Sequence, residues 1–404
     1  MAAVDGISLD TYGAGKSNGA VALSLATASR KSRLRQFANE QWEVETREGI
    51  EQIVARTSKG LSHDVMLDEG IEMIHRALDL FSVEELDHLV TVAPANNYIS
   101  LSQQTGTRII RYYAVIDFPM QMDIKMQIKR ADGTIETPPA PGALPWASAF
   151  RFYRLSQSSN DLFDAFRNLY LALEAVLDQL WPKASNEGEK KWLDRALSAA
   201  SSKVNFGPMA TAGIVDPVKD VADRIYNVRV HLFHAKTGRT LLPDHNISYA
   251  KVAEAYRTLV TLWTEIARAW LGLARAGGAI TYSGFKMMIE GPYGETRIAT
   301  TADDTIADKG DQAASPKGMA VIEFSQKPTV SEIRPGYMGL TGQMIVSDFP
   351  SVQVVGRILV LLKDGSPGLV NSIKGGLTLA NADLFEVVNV LRLVNRAQPR
   401  TEFS

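Results

Sequence analysis

Cysteine is absent from the 404-residue chain. Its absence excludes a disulfide scaffold, zinc–thiolate sites, iron–sulfur clusters and cysteine nucleophiles, and it fits a reducing compartment. The first residues, MAAVDGISLDTYGAGKSNG, lack the cationic segment followed by an apolar one that a secretory signal needs. No window approaches the ~20 uninterrupted apolar residues of a membrane helix. We therefore expect a cytoplasmic protein with no membrane partner.

An excess of charge of one sign is also missing. The 43 Lys and Arg residues face 45 Asp and Glu residues, for a net charge of -2. Global charge therefore gives no argument for a nucleic-acid partner, and any attraction to phosphate must be local. The apolar fraction of 45% and the charged fraction of 22% are those of an ordinary globular protein.

Two breaks in composition divide the chain into three parts. Four prolines between Pro138 and Pro145 are incompatible with a regular helix or a central strand. The polar, acidic segment 301–318 has almost nothing to bury. We predict an α+β protein with a mixed α/β domain over 1–145, a helical bundle over 146–278 and a β-rich region with a C-terminal helix over 279–404. We expect the two outer parts to pack together through a shared sheet, as a sensor or recognition unit.

In the outer parts, the sequence patterns that predict secondary structure are mostly short. Residues around 30–57 and 64–92 are predicted as helices. Apolar and polar residues alternate strictly from Met120 to Ile128, which is typical of a half-buried strand, and Asp132-Gly133 then predicts a turn. After the bundle we predict a hairpin of strands 282–289 and 295–300, further strands over 319–324, 342–346 and 352–362, and a closing helix over 383–395.

The middle part is strongly helical. From Leu162 onward, apolar residues recur at spacings of three and four over five turns, with Asn160 or Ser159 as the cap and Pro182 as the end. A shorter helix is predicted near 190–202. A third begins at the Asp216-Pro217 cap and runs to about residue 236, and a fourth spans about 247–275. Four helices with short connections describe an antiparallel bundle.

The third of these helices carries the strongest candidate for chemistry. Arg229 and His234 are separated by about 140° around a helix, so both can border one cleft between packed helices. The guanidinium is a permanent planar cation suited to a phosphate. The imidazole, with an ordinary pKa near 6.5, can exchange a proton at neutral pH. Together they form a minimal pair for metal-independent phosphodiester cleavage.

The Arg-x4-His spacing resembles the Arg-x4-6-His signature of the HEPN superfamily, and it falls late in the third long helix, as it does there. The earlier helix, LFDAFRNLYLALEAVLDQLW, is similar to the family's helix that brings an acidic residue, here Glu174, toward the motif. The resemblance covers about residues 150–276. It is strongest to the group found in phage-defence and uncharacterised bacterial proteins.

The resemblance implies a homodimer in which two Arg/His pairs cleave RNA without a metal or another cofactor. His234 would exchange protons with the ribose 2′-hydroxyl or the leaving oxygen, Arg229 would stabilise the phosphoryl charge, and Glu174 would orient its neighbours. An antitoxin or a sensor protein is the implied further partner. Val230 stands where active members often have a polar residue, and His231 and Asn227 are the candidates to replace it.

Two other classes of function remain open. The bundle could be a non-catalytic module for dimerisation or for binding nucleotide or RNA, or it could be a structural element of an assembly. In either case Arg229 would pair with a glutamate, and His231 or His234 would cap the end of the helix, where a cation is favoured.

Weaker patterns have ordinary structural explanations that we favour. The segment Gly15-Lys16-Ser17 lacks the glycine that a phosphate-binding loop needs, because Asp10 stands there. Solvated helix faces explain Glu72-x-x-His75 and Glu85-x-x-His88 better than a di-iron bundle does. A charged helix face explains the basic run of Arg30, Lys31, Arg33 and Arg35. Packing in the core or in a dimer explains Trp263 and Trp270 better than base stacking.

Overall fold

The computed structural model describes residues 1–85, 87–93, 96–120, 128–129, 132–133, 135–136, 145–233, 246–273, 280–307, 313–348, 354–395 and 398–403. The chain is an α+β protein that divides into two compact units. The first consists of Met1–Phe118 and Thr281–Val394, and the second of Pro119–Ile280 and Asn395–Phe403. Within the described residues, none of the helices combines the length and apolar character needed to cross a membrane.

The described helices are α1 (His63–Glu85), α2 (Ser148–Ser158), α3 (Leu162–Leu180), α4 (Glu189–Ala200), α5 (Pro217–Phe233), α6 (Asn246–Leu271) and α7 (Tyr282–Tyr293). The described strands are β1 (Ala3–Val4), β2 (Ile7–Ser8), β3 (Thr11–Tyr12), β4 (Gly15–Lys16), β5 (Gly19–Ser24), β6 (Arg33–Phe37), β7 (Trp42–Thr46), β8 (Gln52–Thr57), β9 (Asn97–Gln104), β10 (Thr107–Met120), β11 (Ile128–Lys129), β12 (Ile135–Glu136), β13 (Arg297–Thr301), β14 (Val321–Glu323), β15 (Thr329–Arg334), β16 (Tyr337–Ile345), β17 (Val354–Leu361), β18 (Pro367–Thr378) and β19 (Leu384–Asn395).

The first unit contains two large sheets. One has the strand order β15-β16-β19-β10-β9-β5-β8-β7-β6, and the other has the order β14-β13-β17-β18-β1-β2. The pair β1–β18 and the neighbours β10 and β19 join strands from before and after the helical part of the chain. Strands that are far apart in sequence therefore build the same sheets.

Helix α1 covers one face of the larger sheet. Side chains alternate between the two faces of a strand, so Val21 and Leu23 of β5 face the helix and form a core cluster with residues of α1 such as Ile74. The helix approaches closely at Gly70, where a Cβ atom would lie 2.7 Å from Cγ2 of Val21. The intervening residues of β5 face the other way.

The second unit is helical, with helices α2 to α6 around one core. The side chains of α3 that recur every three or four residues are buried, as the apolar stripe predicts. The cap of α3 is Asp161, whose Oδ1 accepts a 2.7 Å hydrogen bond from the backbone N–H of Asp164, rather than Asn160 or Ser159. Asp216 caps α5 as predicted, through a 3.0 Å bond from the N–H of Lys219. Helix α2 is an addition to the predicted bundle.

Three predictions for the outer parts are wrong. Residues 30–57 form β6, β7 and β8 instead of a helix, residues 282–289 lie in α7 instead of a strand, and residues 383–395 form β19 instead of a helix. In β19, the backbone pairs with β16 over nine residue pairs and also lies beside β10. Valines, which favour strands, are frequent in this segment, and consecutive residues on both faces of β19 are buried.

Three further predictions concern a turn, a strand and the boundaries of the units. The Asp132-Gly133 turn lies between β11 and β12, which pair antiparallel. The alternating segment 120–128 falls mostly on 121–127, outside the described residues. The units divide near residues 118 and 280, whereas the sequence suggested boundaries near 145 and 278.

Candidate functional site

Arg229 lies late in α5 and is held from several sides. Its Nη2 donates a 2.8 Å hydrogen bond to Oε2 of Glu189, at the start of α4. Its guanidinium carbon lies 5.7 Å from the centre of the Tyr170 ring and 5.0 Å from that of Phe233, within the range of cation–π attraction. The side chain is 16% exposed. The arginine is therefore oriented and largely shielded from water.

Glu189 also connects α4 to helix α3. The hydroxyl of Tyr170 donates a 3.3 Å hydrogen bond to Oε1 of Glu189, and Glu174 lies one turn further along α3, on the same face. Burial of the Tyr170 ring raises the pKa of its phenol, so the group stays neutral and acts as a donor. Three helices thus contribute side chains to one polar cluster of Tyr170, Glu174, Glu189 and Arg229.

The carboxyl group of Glu174 holds its proton to an unusually high pH. Burial, together with the charge and the hydrogen bond of Glu189, raises the pKa of Glu174 to about 7, while Arg229 acts in the opposite direction. Two acids this close do not both ionise easily. Below about pH 7 Glu174 is therefore mostly protonated and uncharged.

The remaining predicted site residues are not part of this polar cluster among the described residues. Nδ1 of His231 lies 2.6 Å from the backbone oxygen of Asn227, one turn earlier in α5. Two positions along a helix correspond to about 200°, so His231 lies on the side away from Arg229. His234 follows the last residue of α5 in sequence and lies outside the described residues. The structure therefore brings Glu174 and Arg229 together and leaves His231 and Asn227 apart from them.

Sequence reasoning missed Glu189 and the polar role of Tyr170. The spacing of Tyr170 and Glu174 on α3 is a usable signal, because residues four apart share a helix face. No local pattern links Glu189 to either, since its place depends on how α4 packs. A second link between the same helices is Lys190, whose Nζ lies 2.6 Å from Oδ1 of Asp223 on α5.

The basic run lies on and just before β6 rather than on the predicted helix face, and three of its four cations pair with acidic residues. Lys31 pairs with Glu85 at 3.0 Å, and the nearly buried Arg33 lies 2.8 Å from Asp87. Arg35 pairs with Glu84. These ion pairs hold β6 and the end of α1 together.

The segment resembling a phosphate-binding loop and the Glu-x-x-His pattern around Glu72 have structural roles, as predicted from the sequence. Lys16 lies in the short β3–β4 hairpin, and Asp10 accepts hydrogen bonds from the Ala2 N–H and from Ser8. Glu72 pairs with Arg76 at 2.8 Å. Over the residues that the structure describes, no group of three or more potential ligands could hold a metal ion.

Trp263 is a core residue. It is 1% exposed and stacks on Tyr153 with ring centres 4.0 Å apart. The prediction of core packing is confirmed for this tryptophan, which leaves no face for a nucleic-acid base. Trp270 lies edge-on to Trp181 at 5.1 Å within the same unit.

Asp64, His63 and Ser100 are arranged as the carboxylate, imidazole and hydroxyl of a catalytic triad are. His63 lies with Nδ1 3.2 Å from Oδ1 of Asp64 and with Nε2 3.2 Å from Oγ of Ser100. A nucleophile must reach its substrate, but Ser100 has no exposed surface. The arrangement therefore fixes the start of α1 on β9.

Comparison with known proteins found no matching family model, no matching curated protein and no matching solved structure. Function is therefore inferred from the chemistry of the residues themselves.

Proposed function

We propose that the helical unit is a metal-independent endoribonuclease of HEPN type that works as a homodimer in phage defence or a stress response. In this proposal α3, α4, α5 and α6 are the four helices of the HEPN-like bundle, and α2 is an addition. Arg229 and His234 are the groups that act on the RNA. The observation that supports this best is the fixed orientation of Arg229, five residues before a histidine.

The hydrogen bonds of Arg229 leave it capacity for a phosphate. A guanidinium has five N–H donors, and among the described residues Glu189 accepts from only one of them. The Nε atom is buried and has no partner within those residues. A donor group that is already oriented loses little freedom when charge develops in front of it, which is the general requirement for electrostatic catalysis.

The reaction needs neither water nor a metal. The ribose 2′-hydroxyl gives its proton to one histidine while its oxygen attacks the neighbouring phosphorus. The bond from phosphorus to the 5′-oxygen breaks, and that oxygen takes a proton from the second His234 of the dimer. The products are a 2′,3′-cyclic phosphate and a 5′-hydroxyl, and Arg229 stabilises the additional negative charge on the phosphoryl oxygens.

A second candidate is a non-catalytic module for dimerisation or for binding RNA or nucleotide, or an assembly element. The pairing of Arg229 with Glu189 and its low exposure favour this candidate, since a phosphate must compete with a carboxylate that is already bound. The two candidates differ in whether RNA is cut.

The test is to incubate the purified protein with mixed RNA in the presence of EDTA. We expect cleavage by the wild type and a loss of about a hundredfold or more in Arg229→Ala and in His234→Ala. The matched controls are Arg195→Ala, which removes a surface ion pair with Glu187 in the same unit, and His88→Ala in the first unit. Both should cut RNA at the wild-type rate.

The products and the oligomeric state complete the test. The new 3′ ends should resist phosphatase until acid opens the cyclic phosphate, and native mass spectrometry should give a dimer. Equal cleavage by all variants would mean that Arg229 and His234 carry no chemistry. Absence of cleavage by the wild type would favour the non-catalytic module.

A further inference from the structure

The first unit contains a cavity of about 410 Å³ between its two sheets. This volume lies in the range of small-molecule sites, about 300–1,000 Å³. Ala22 and Ser24 line the cavity, whereas Val21 and Leu23 of the same strand pack in the cluster under α1. Because side chains alternate across a sheet, the cavity lies on the sheet face opposite α1. The other wall is residues 370–374 of β18.

Several polar side chains that line the cavity have unused hydrogen-bonding capacity. Among the described residues, the Tyr112 hydroxyl and the Asn97 amide have no hydrogen-bond partner, although both residues line the space. Gln52 donates to Ser24 at 3.2 Å, which leaves its carbonyl oxygen available. Donors and acceptors are therefore both offered to a ligand.

A buried donor without an acceptor lies behind the cavity wall, one hydrogen bond away from Asn371. Asn371 lines the cavity and donates a 2.8 Å bond from Nδ2 to Oδ1 of Asn389. Asn389 has no exposed surface, and its own Nδ2 is without a partner within the described residues. Buried amides in native proteins are almost always bonded, so the Asn371–Asn389 pair next to the cavity retains an unfilled donor.

The charge around the cavity disfavours an anion. Among the described residues that line it, Lys374 is the only cation, and its Nζ lies 2.8 Å from Oε1 of Glu51. The carboxyl of Asp5 is close enough for both charges to affect it. The ammonium group is thus already neutralised, and a phosphate would meet carboxylates at the same place.

We propose that this cavity binds an uncharged nucleoside or its nucleobase. A base is a planar ring with alternating donors and acceptors at its edge, which asparagine and glutamine amides complement in pairs. The Tyr112 ring and the apolar Ile99 and Val370 offer contact area for its face. The inference concerns the first unit and does not depend on the nuclease proposal.

The test uses the full-length protein and isothermal titration with adenosine, guanosine, cytidine, uridine and their free bases. We expect at least one nucleoside to bind with Kd of about 100 µM or tighter, its 5′-monophosphate to bind about tenfold more weakly, and ribose alone not to bind. Tyr112→Phe and Asn97→Ala should each weaken binding about fivefold to tenfold, since each removes one hydrogen bond.

Two further variants separate a lost site from a lost fold. Gln104→Ala, exposed on the same strand as Asn97, should bind as the wild type does. Ala22→Phe should fill the cavity and abolish binding. Circular dichroism and the melting temperature check that each variant is folded. Tyr112→Phe removes only a hydroxyl group, so a loss of binding in this variant reports the hydrogen bond and not a change in the volume of the side chain. Absence of nucleoside binding at millimolar concentration, equal binding of ribose, or binding unaffected by Tyr112→Phe and Asn97→Ala would each overturn the proposal.

Discussion

Glu174→Gln should stabilise the helical unit at high pH and leave it nearly unchanged at low pH. The carboxyl of Glu174 has an ordinary pKa of 4.5, which burial and Glu189 raise to about 7 in the folded protein. Between these two values the folded state holds a proton that the unfolded state has lost. Stability from this group is therefore present below about pH 4.5 and falls as the pH rises to 7. Glutamine keeps the donor of the protonated acid and cannot ionise.

The size of the effect follows from the same two values. At about 1.4 kcal/mol per pH unit, the difference between 4.5 and about 7 corresponds to about 3–4 kcal/mol. Glu174 is half-buried, so solvent screens part of this charge. We expect Glu174→Gln to be more stable than the wild type by about 1–2 kcal/mol at pH 8 and by almost nothing at pH 5.

Tryptophan fluorescence during urea unfolding is the suitable assay. Of the six tryptophans in the chain, all but Trp42 lie in the second unit, so the signal reports mainly on the helical unit. The matched control is Glu254→Gln on α6, whose side chain is 67% exposed. It should change the free energy of unfolding by less than about 0.5 kcal/mol at every pH.

Glu189→Gln should lower the stability of the helical unit, whereas Glu174→Gln should raise it. It removes the carboxylate that accepts from Arg229, and it should destabilise the unit by about 1–3 kcal/mol. The raised pKa of Glu174 would be refuted by a Glu174→Gln effect of equal size at pH 5 and pH 8. A wild-type stability independent of pH over this range would refute it as well.

Two further predictions concern packing and helix capping. Gly70→Ala should destabilise the protein by about 1–2 kcal/mol in thermal unfolding, because the new methyl group overlaps Val21. Gly60→Ala, with open space around its Cβ, should be nearly neutral, and an equal effect of both changes would contradict the packing argument. Asp161→Ala should cost about 1 kcal/mol through loss of the α3 cap, whereas Asn160→Ala should cost little. A larger loss in Asn160→Ala would place the cap at Asn160.

Local sequence decided most of the helical unit. The apolar stripe of α3 repeats over five turns, and Pro182, Asp216 and Pro217 act on the backbone within a few residues of their own position. The predicted ends of α3 to α6 are therefore close to the observed ones. The additional α2 is only eleven residues long and begins three residues after Pro145, the end of the proline-rich segment that marks the predicted domain boundary.

The candidate site, too, could be predicted only in part from the sequence. Arg229 and Glu174 could be singled out because their helices are long and regular, and the resemblance supplied their roles. Glu189, which accepts from Arg229, comes from a different helix forty residues away in sequence. Its importance depends on the packing of α4 against α5 and cannot be read from spacing.

The sheets of the first unit were decided by tertiary structure. Residues 282–289 and 383–395 are short apolar runs that fit both helical and strand periods, and the wrong one was predicted for each. A strand acquires its hydrogen bonds only from a neighbour, and the neighbours here come from opposite ends of the chain, as with Ala3 and Thr378. The sequence by itself determined the long helices α3 to α6, because a helix satisfies its backbone within its own residues. Only the tertiary structure could determine the strands and the cavity between the sheets, because their partners are distant residues.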